Sequence, residues 1–114
     1  MDRISEQQGA DQAFRAEFDL IHSKPAGSRV DAETLSILRE RLAGRLEQEM
    51  TDPNSNFPFG SEDYRVPDVL RSGQRFVKPK GVWFTDRLAS VFDDYRLAHD
   101  ERDQVNDELF EVKP

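Results

Sequence analysis

Apolar residues recur along this chain at helical spacing in three places. Ala10, Ala13, Phe14, Phe18 and Ile21 follow one another at three- and four-residue steps, which predicts a helix over about 10–22. It stops before Pro25, in the turn-rich run Ser23-Lys24-Pro25-Ala26-Gly27-Ser28. Residues 1–9 ahead of it are polar and end at Gly9, so they are expected to form a flexible start.

The second helix is expected over 31–51. Asp31 can cap it, because a carboxylate accepts hydrogen bonds from the free backbone N–H groups of a first turn. Val30 and Leu35 stand at the two positions of a hydrophobic staple. Leu35, Leu38, Leu42, Leu46 and Met50 then make one apolar stripe. Gly44 interrupts good helix formers and predicts a close helix crossing. Asp52-Pro53 ends the helix, since a residue before proline avoids the helical region.

Residues 52–74 read as an irregular segment. Phe57-Pro58-Phe59-Gly60 is an aromatic clasp on a loop, and Pro67 opens a short helical turn closed by Gly73. Arg75-Phe76-Val77 and Val82-Trp83-Phe84, joined by Lys78-Pro79-Lys80-Gly81, predict a small β-hairpin over about 75–84. It must lie on the helices, because an isolated hairpin is marginal in water. Thr85 caps a last helix over about 85–112, which contains no Gly or Pro.

That helix carries a heptad pattern. With Leu88 at position a, the a and d positions are Leu88, Val91, Tyr95, Ala98, Arg102, Val105, Leu109 and Val112, and all but Arg102 can pack. Positions f and g are Asp93, Asp94, Asp100, Glu101, Asp107 and Glu108, an acid stripe beside the seam that suits either a solvated outer face or a docking face for a basic partner. Asp107, Glu108 and Glu111 crowd the helix C-terminus, the unfavourable end of the dipole for an anion. The seam suits either packing on the second helix within one chain or a homodimeric coiled coil. The fold class is mainly α, three helices with a small hairpin, in one domain over 10–114.

Composition narrows the function classes. The chain has 114 residues, 36% hydrophobic and 34% charged, so the core is thin and eight Phe, one Trp and two Tyr must supply much of it. A net charge of −7 opposes binding to DNA or anionic membranes and favours a basic partner. No cysteine means no disulfide, no thiol chemistry and no cysteine-ligated metal. No secretory signal or membrane-length apolar run is present, and a cytoplasmic location is expected.

Residues 64–87 invert the charge. Tyr64, Arg65, Arg71, Arg75, Phe76, Lys78, Lys80, Trp83, Phe84 and Arg87 interleave bases and aromatics, as single-strand nucleic-acid binders do. The same aromatics are needed for a core. Of the two histidines, His22 suits the cation-favouring end of helix one, and His99 has Tyr95 and Asp103 four residues to either side. That trio is a minimal general-base arrangement and equally a surface pair. No metal or cofactor motif is present, and none is expected.

The expectation is a non-enzymatic protein–protein interaction module, an adaptor, inhibitor, chaperone or assembly factor. It docks a basic partner through Asp93, Asp94, Asp100, Glu101, Asp107 and Glu108, with Phe57 and Phe59 as aromatic anchors. Arg71, Arg75, Lys78 and Lys80 form a second contact, and a homo-oligomer is possible. Alternatives are a nucleic-acid-associated regulator using residues 64–87 and a small enzyme using His99.

Overall fold

Asp31 begins a helix as its spacing predicts, and it does so by the expected chemistry. Its carboxylate accepts from the backbone N–H of Thr34 at 2.8 Å, and the helix runs Ala32–Thr51. The computed structural model describes residues 2–55, 59–79 and 81–111, with side chains from Gln12 onward. Within them the order is α1 (Asp2–His22), α2 (Ala32–Thr51), a 3-10 turn (Asp63–Arg65), α3 (Val66–Ser72), α4 (Val82–Asp94) and α5 (His99–Leu109).

Helix α1 starts at Asp2 and passes through Gly9, so it is longer than the apolar spacing alone indicates. Its far end is tied to α2 through the connecting loop. Lys24 reaches both Asp31 at 2.8 Å and Glu33 at 3.0 Å. That ammonium, together with the Thr34 N–H, holds the Asp31 carboxyl down to about 2.

Helix α2 is the central post. Leu38, Leu42, Ala43 and Leu46 are buried, with Leu35 and Met50 packed at the margin. Short α3 lies against it and ends as expected at Gly73, whose φ of 79° closes the helix in the left-handed region. The expected close crossing at Gly44 is not found. A Cβ built there meets nothing within 4 Å.

The β-hairpin is corrected by the structure. Among the described residues no strand forms, and residues 75–79 make only an isolated parallel bridge, Phe76 to Phe110. Phe76 N–H donates to the Leu109 carbonyl at 3.1 Å, and Glu111 N–H donates to the Phe76 carbonyl at 2.9 Å. Val82-Trp83-Phe84 is the first turn of α4 instead. A three-residue apolar run fits strand or helix equally well, and here Phe84, Leu88, Val91, Phe92 and Tyr95 continue it at helical spacing, all buried. Gly81, rather than Thr85, stands at the cap. Its φ is 112°, and a Cβ would lie 3.0 Å from the Trp83 ring.

The single last helix is corrected as well. It breaks after Asp94 into α4 and α5, joined by an elbow at residues 95–98 in which Arg96 has φ of 51°. Five helices therefore replace the expected three. They enclose one apolar core, with Ile21 from α1, the α2 stripe, Leu70 from α3, and Trp83, Phe84, Leu88, Val91, Phe92, Tyr95, Leu97, Val105, Leu109 and Phe110 from the C-terminal third. Aromatic rings run through it edge to face. Phe59 meets Trp83, Trp83 meets Phe84, and Phe84 meets both Phe76 and Phe110, at centroid separations of 5.3–6.0 Å.

Arg39 joins three elements at the base of this core. It is only 9% exposed and no carboxylate lies in ion-pair range among the described residues. Its guanidinium donates to the carbonyls of Leu70 at 3.2 Å, Gln74 at 3.3 Å and Glu108 at 3.2 Å. Leu70 and Glu108 belong to the last turns of α3 and α5. Each helix end carries about half a negative charge. Two such ends are the counterion of this buried cation. Burial still draws its pKa downward, with Glu108 acting weakly against that.

Candidate partner-binding site

The break in the last helix redistributes the acids that the heptad pattern had aligned. Asp93 and Asp94 stay on α4, and both are engaged within the chain. Asp93 receives Arg102 at 3.0 Å, and Asp94 pairs with Arg45 of α2. Glu101 turns inward. It is 1% exposed, and its Oε1 accepts the backbone N–H of Ala98 at 2.8 Å, capping the start of α5. Its Oε2 has no hydrogen-bond donor, but the Arg29 guanidinium stands 3.7 Å away. Glu101 is thus a structural cap and not part of a docking face. The unbroken stripe is corrected to a shorter one.

The acids that remain exposed on α5 are Asp100, Asp103, Asp107 and Glu108. The first three follow at steps of three and four, which puts them on one face. The inward face carries Glu101, Val105 and Leu109. Among the described residues no ion pair reaches these four outer carboxylates, whereas Glu17, Asp31, Glu33, Glu40, Glu47, Glu49, Asp93, Asp94 and Glu101 all have basic partners. The last turn of α5 contains no basic residue. Asp103 is legible in the sequence as a neighbour of His99, and its three- and four-residue steps from Asp100 and Asp107 place it on their face of α5.

The expected second contact is divided. Arg71 is bound into the fold, with its guanidinium fork gripping Glu40 at 2.9 Å and Glu47 at 2.6 Å on α2. Arg75 is exposed and borders a groove of about 500 Å³ that also includes Ser36, Arg39, Leu70 and Glu108. Lys78 lies over the Phe110 ring, 5.6 Å from its centre. Lys80 and Phe57 lie outside the described residues. Phe59 is half-buried against Trp83 and Tyr64 and packs on the core, where the expectation had it as an anchor for a partner.

The aromatics of residues 64–87 are also spent in the core. Trp83 and Phe84 are buried and Phe76 is partly so, which leaves Tyr64 as the one markedly exposed ring of the segment. A stacking platform for bases needs several open rings.

The histidines have structural surroundings. His22 stacks on Phe18 at 4.2 Å and its Nε2 donates to the Tyr95 carbonyl at 2.6 Å. His99 is exposed at the start of α5. Tyr95 opens the elbow and His99 follows it, so their four-residue relation along one helix is lost. Its hydroxyl instead donates to Glu17 at 2.6 Å and accepts from Arg41 at 3.0 Å. Burial, then the Glu17 carboxylate, pushes the Tyr95 phenol well above its usual pKa. No group of three His, Asp or Glu side chains among the described residues could hold a metal ion. Nor is any described helix long and apolar enough to cross a membrane.

No family model matches this chain, and neither a curated protein nor a solved structure does.

Proposed function

We propose that this protein is a non-enzymatic interaction module that captures a basic partner through the outer face of α5. The observation that carries this reading is the run of carboxylates Asp100, Asp103, Asp107 and Glu108 gathered on one short helix with no ion pair among the described residues, whereas the acids of α2 that face a neighbouring helix are matched with bases. Like charges one helical turn apart cost a few tenths of a kcal/mol each, and acids in a last turn add a similar amount. A partner bearing Lys or Arg relieves both. Its arrival is steered by charge, and the attachment depends on ionic strength.

A labelled lysine- and arginine-rich helical peptide tests this in solution. Its affinity is expected to fall steeply with salt and to be lost when Asp100, Asp103, Asp107 and Glu108 are changed to Lys. Glu101 must be left intact, because reversing it removes the cap of α5. Equal affinity in the reversed protein would exclude the α5 face.

A further inference from the structure

Residues 82–109 contain neither Gly nor Pro, and the elbow residues Tyr95-Arg96-Leu97-Ala98 are all compatible with a helix. The heptad positions Leu88, Val91, Tyr95, Ala98, Val105 and Leu109 stay in phase across the bend. One uninterrupted helix is therefore a second conformation open to this sequence. What disfavours it gathers at the elbow, where His22 of α1 donates to the Tyr95 carbonyl and Glu101 accepts from the Ala98 N–H. Arg102 reaches back across the elbow, donating from Nε to the Leu97 carbonyl at 2.9 Å and from its other end to Asp93, with its guanidinium over the Phe92 ring. Asp93 and Arg102 are nine residues apart and would stand beyond reach along a straight helix. Against the bend stands Arg96, a non-glycine residue held at φ of 51°.

We propose that this elbow is a hinge through which two copies of the chain exchange α5. When α4 and α5 run on as one helix, Val105, Leu109 and Phe110 leave their own core. A surface already shaped to receive them is the same site on a second copy, including the Phe76 edge that bonds residues 109–111. Each exchanged helix remakes its core contacts in the other copy, so the balance is set by the elbow bonds that straightening breaks, by the strain that it relieves and by concentration. Strain at Arg96 favours exchange, and the Arg102 clamp opposes it. This also accounts for an arginine in an otherwise apolar seam: Arg102 sits there because the helix turns there.

The test is light scattering on the full chain after refolding from urea at micromolar and at millimolar concentration. Wild type is expected to yield a dimer fraction that grows with refolding concentration. Arg96→Gly and Arg96→Asn relax the left-handed residue and weaken the straight helix, and each should lower that fraction about tenfold or more. Arg102→Ala releases the clamp and should raise it. The glycine and asparagine variants relieve strain and carry the test even if Arg102→Ala folds poorly. A wild-type chain that stays monomeric after millimolar refolding overturns the proposal. So does a dimer whose population is unchanged by both Arg96 substitutions, since such a dimer forms through another surface.

Discussion

Changing Arg39 to Met keeps the volume of the side chain's stem and removes a guanidinium that links α2 to the ends of both α3 and α5. Three hydrogen bonds disappear, to Leu70, Gln74 and Glu108. Bonds from a charged donor are worth about 1.5 kcal/mol or more each, so the gross loss is about 4–5 kcal/mol. Part of this is returned, because the variant no longer holds a desolvated guanidinium. The net destabilisation should be about 2–3 kcal/mol. Urea unfolding followed through Trp83, the single tryptophan and a buried one, reads it directly, with far-ultraviolet dichroism as a second probe. Arg39→Lys should fall between the two, because an ammonium restores charge but cannot span three carbonyls as a planar fork does. A methionine variant within about 0.5 kcal/mol of wild type, the usual range for an unimportant surface change, would refute the joint.

The two unusual glycines should respond in opposite directions. Gly44→Ala, in an open helical position, should stabilise by about 0.5–1 kcal/mol, while Gly81→Ala should destabilise by about 1–2 kcal/mol through its positive φ and the Trp83 ring; thermal melts distinguish them. Asp31 has a folded pKa of about 2, below its ordinary value near 3.8, so its contribution is present above the ordinary value and fades as pH falls toward 2. Asp31→Asn should therefore lower the melting temperature at neutral pH and converge on wild type near pH 2, and a constant gap across that window would exclude the linkage.

Helix α2 and the end of α3 are readable in the sequence because their signals are local. Asp31 caps within three residues, and Gly73 closes its helix through its own backbone freedom. The last helix is harder. Its heptad phase is continuous, no breaker marks the bend, and the cause is distributed over Glu101 capping Ala98, Arg102 bonding Leu97, and His22 bonding Tyr95 from another helix. Two local signs do point to it: Arg102 breaks the apolar seam, and Glu101 stands at the third position of a helix start. The hairpin was unreadable for a different reason, since Val82-Trp83-Phe84 is too short for its period to be determined. The candidate site shares this history. Asp100, Asp107 and Glu108 are identified from sequence as exposed acids, whereas the burial of Glu101 and the engagement of Arg71 by Glu40 and Glu47 depend on contacts between distant segments.

Affinity capture from extracts of the native host, with wild type and with a chain carrying Lys at 100, 103, 107 and 108, puts the α5 face to its most direct test. Both proteins should show the same far-ultraviolet dichroism, and wild type should retain a basic protein that washes off with salt and is absent from the reversed chain. Retention of the same protein by both would contradict the account.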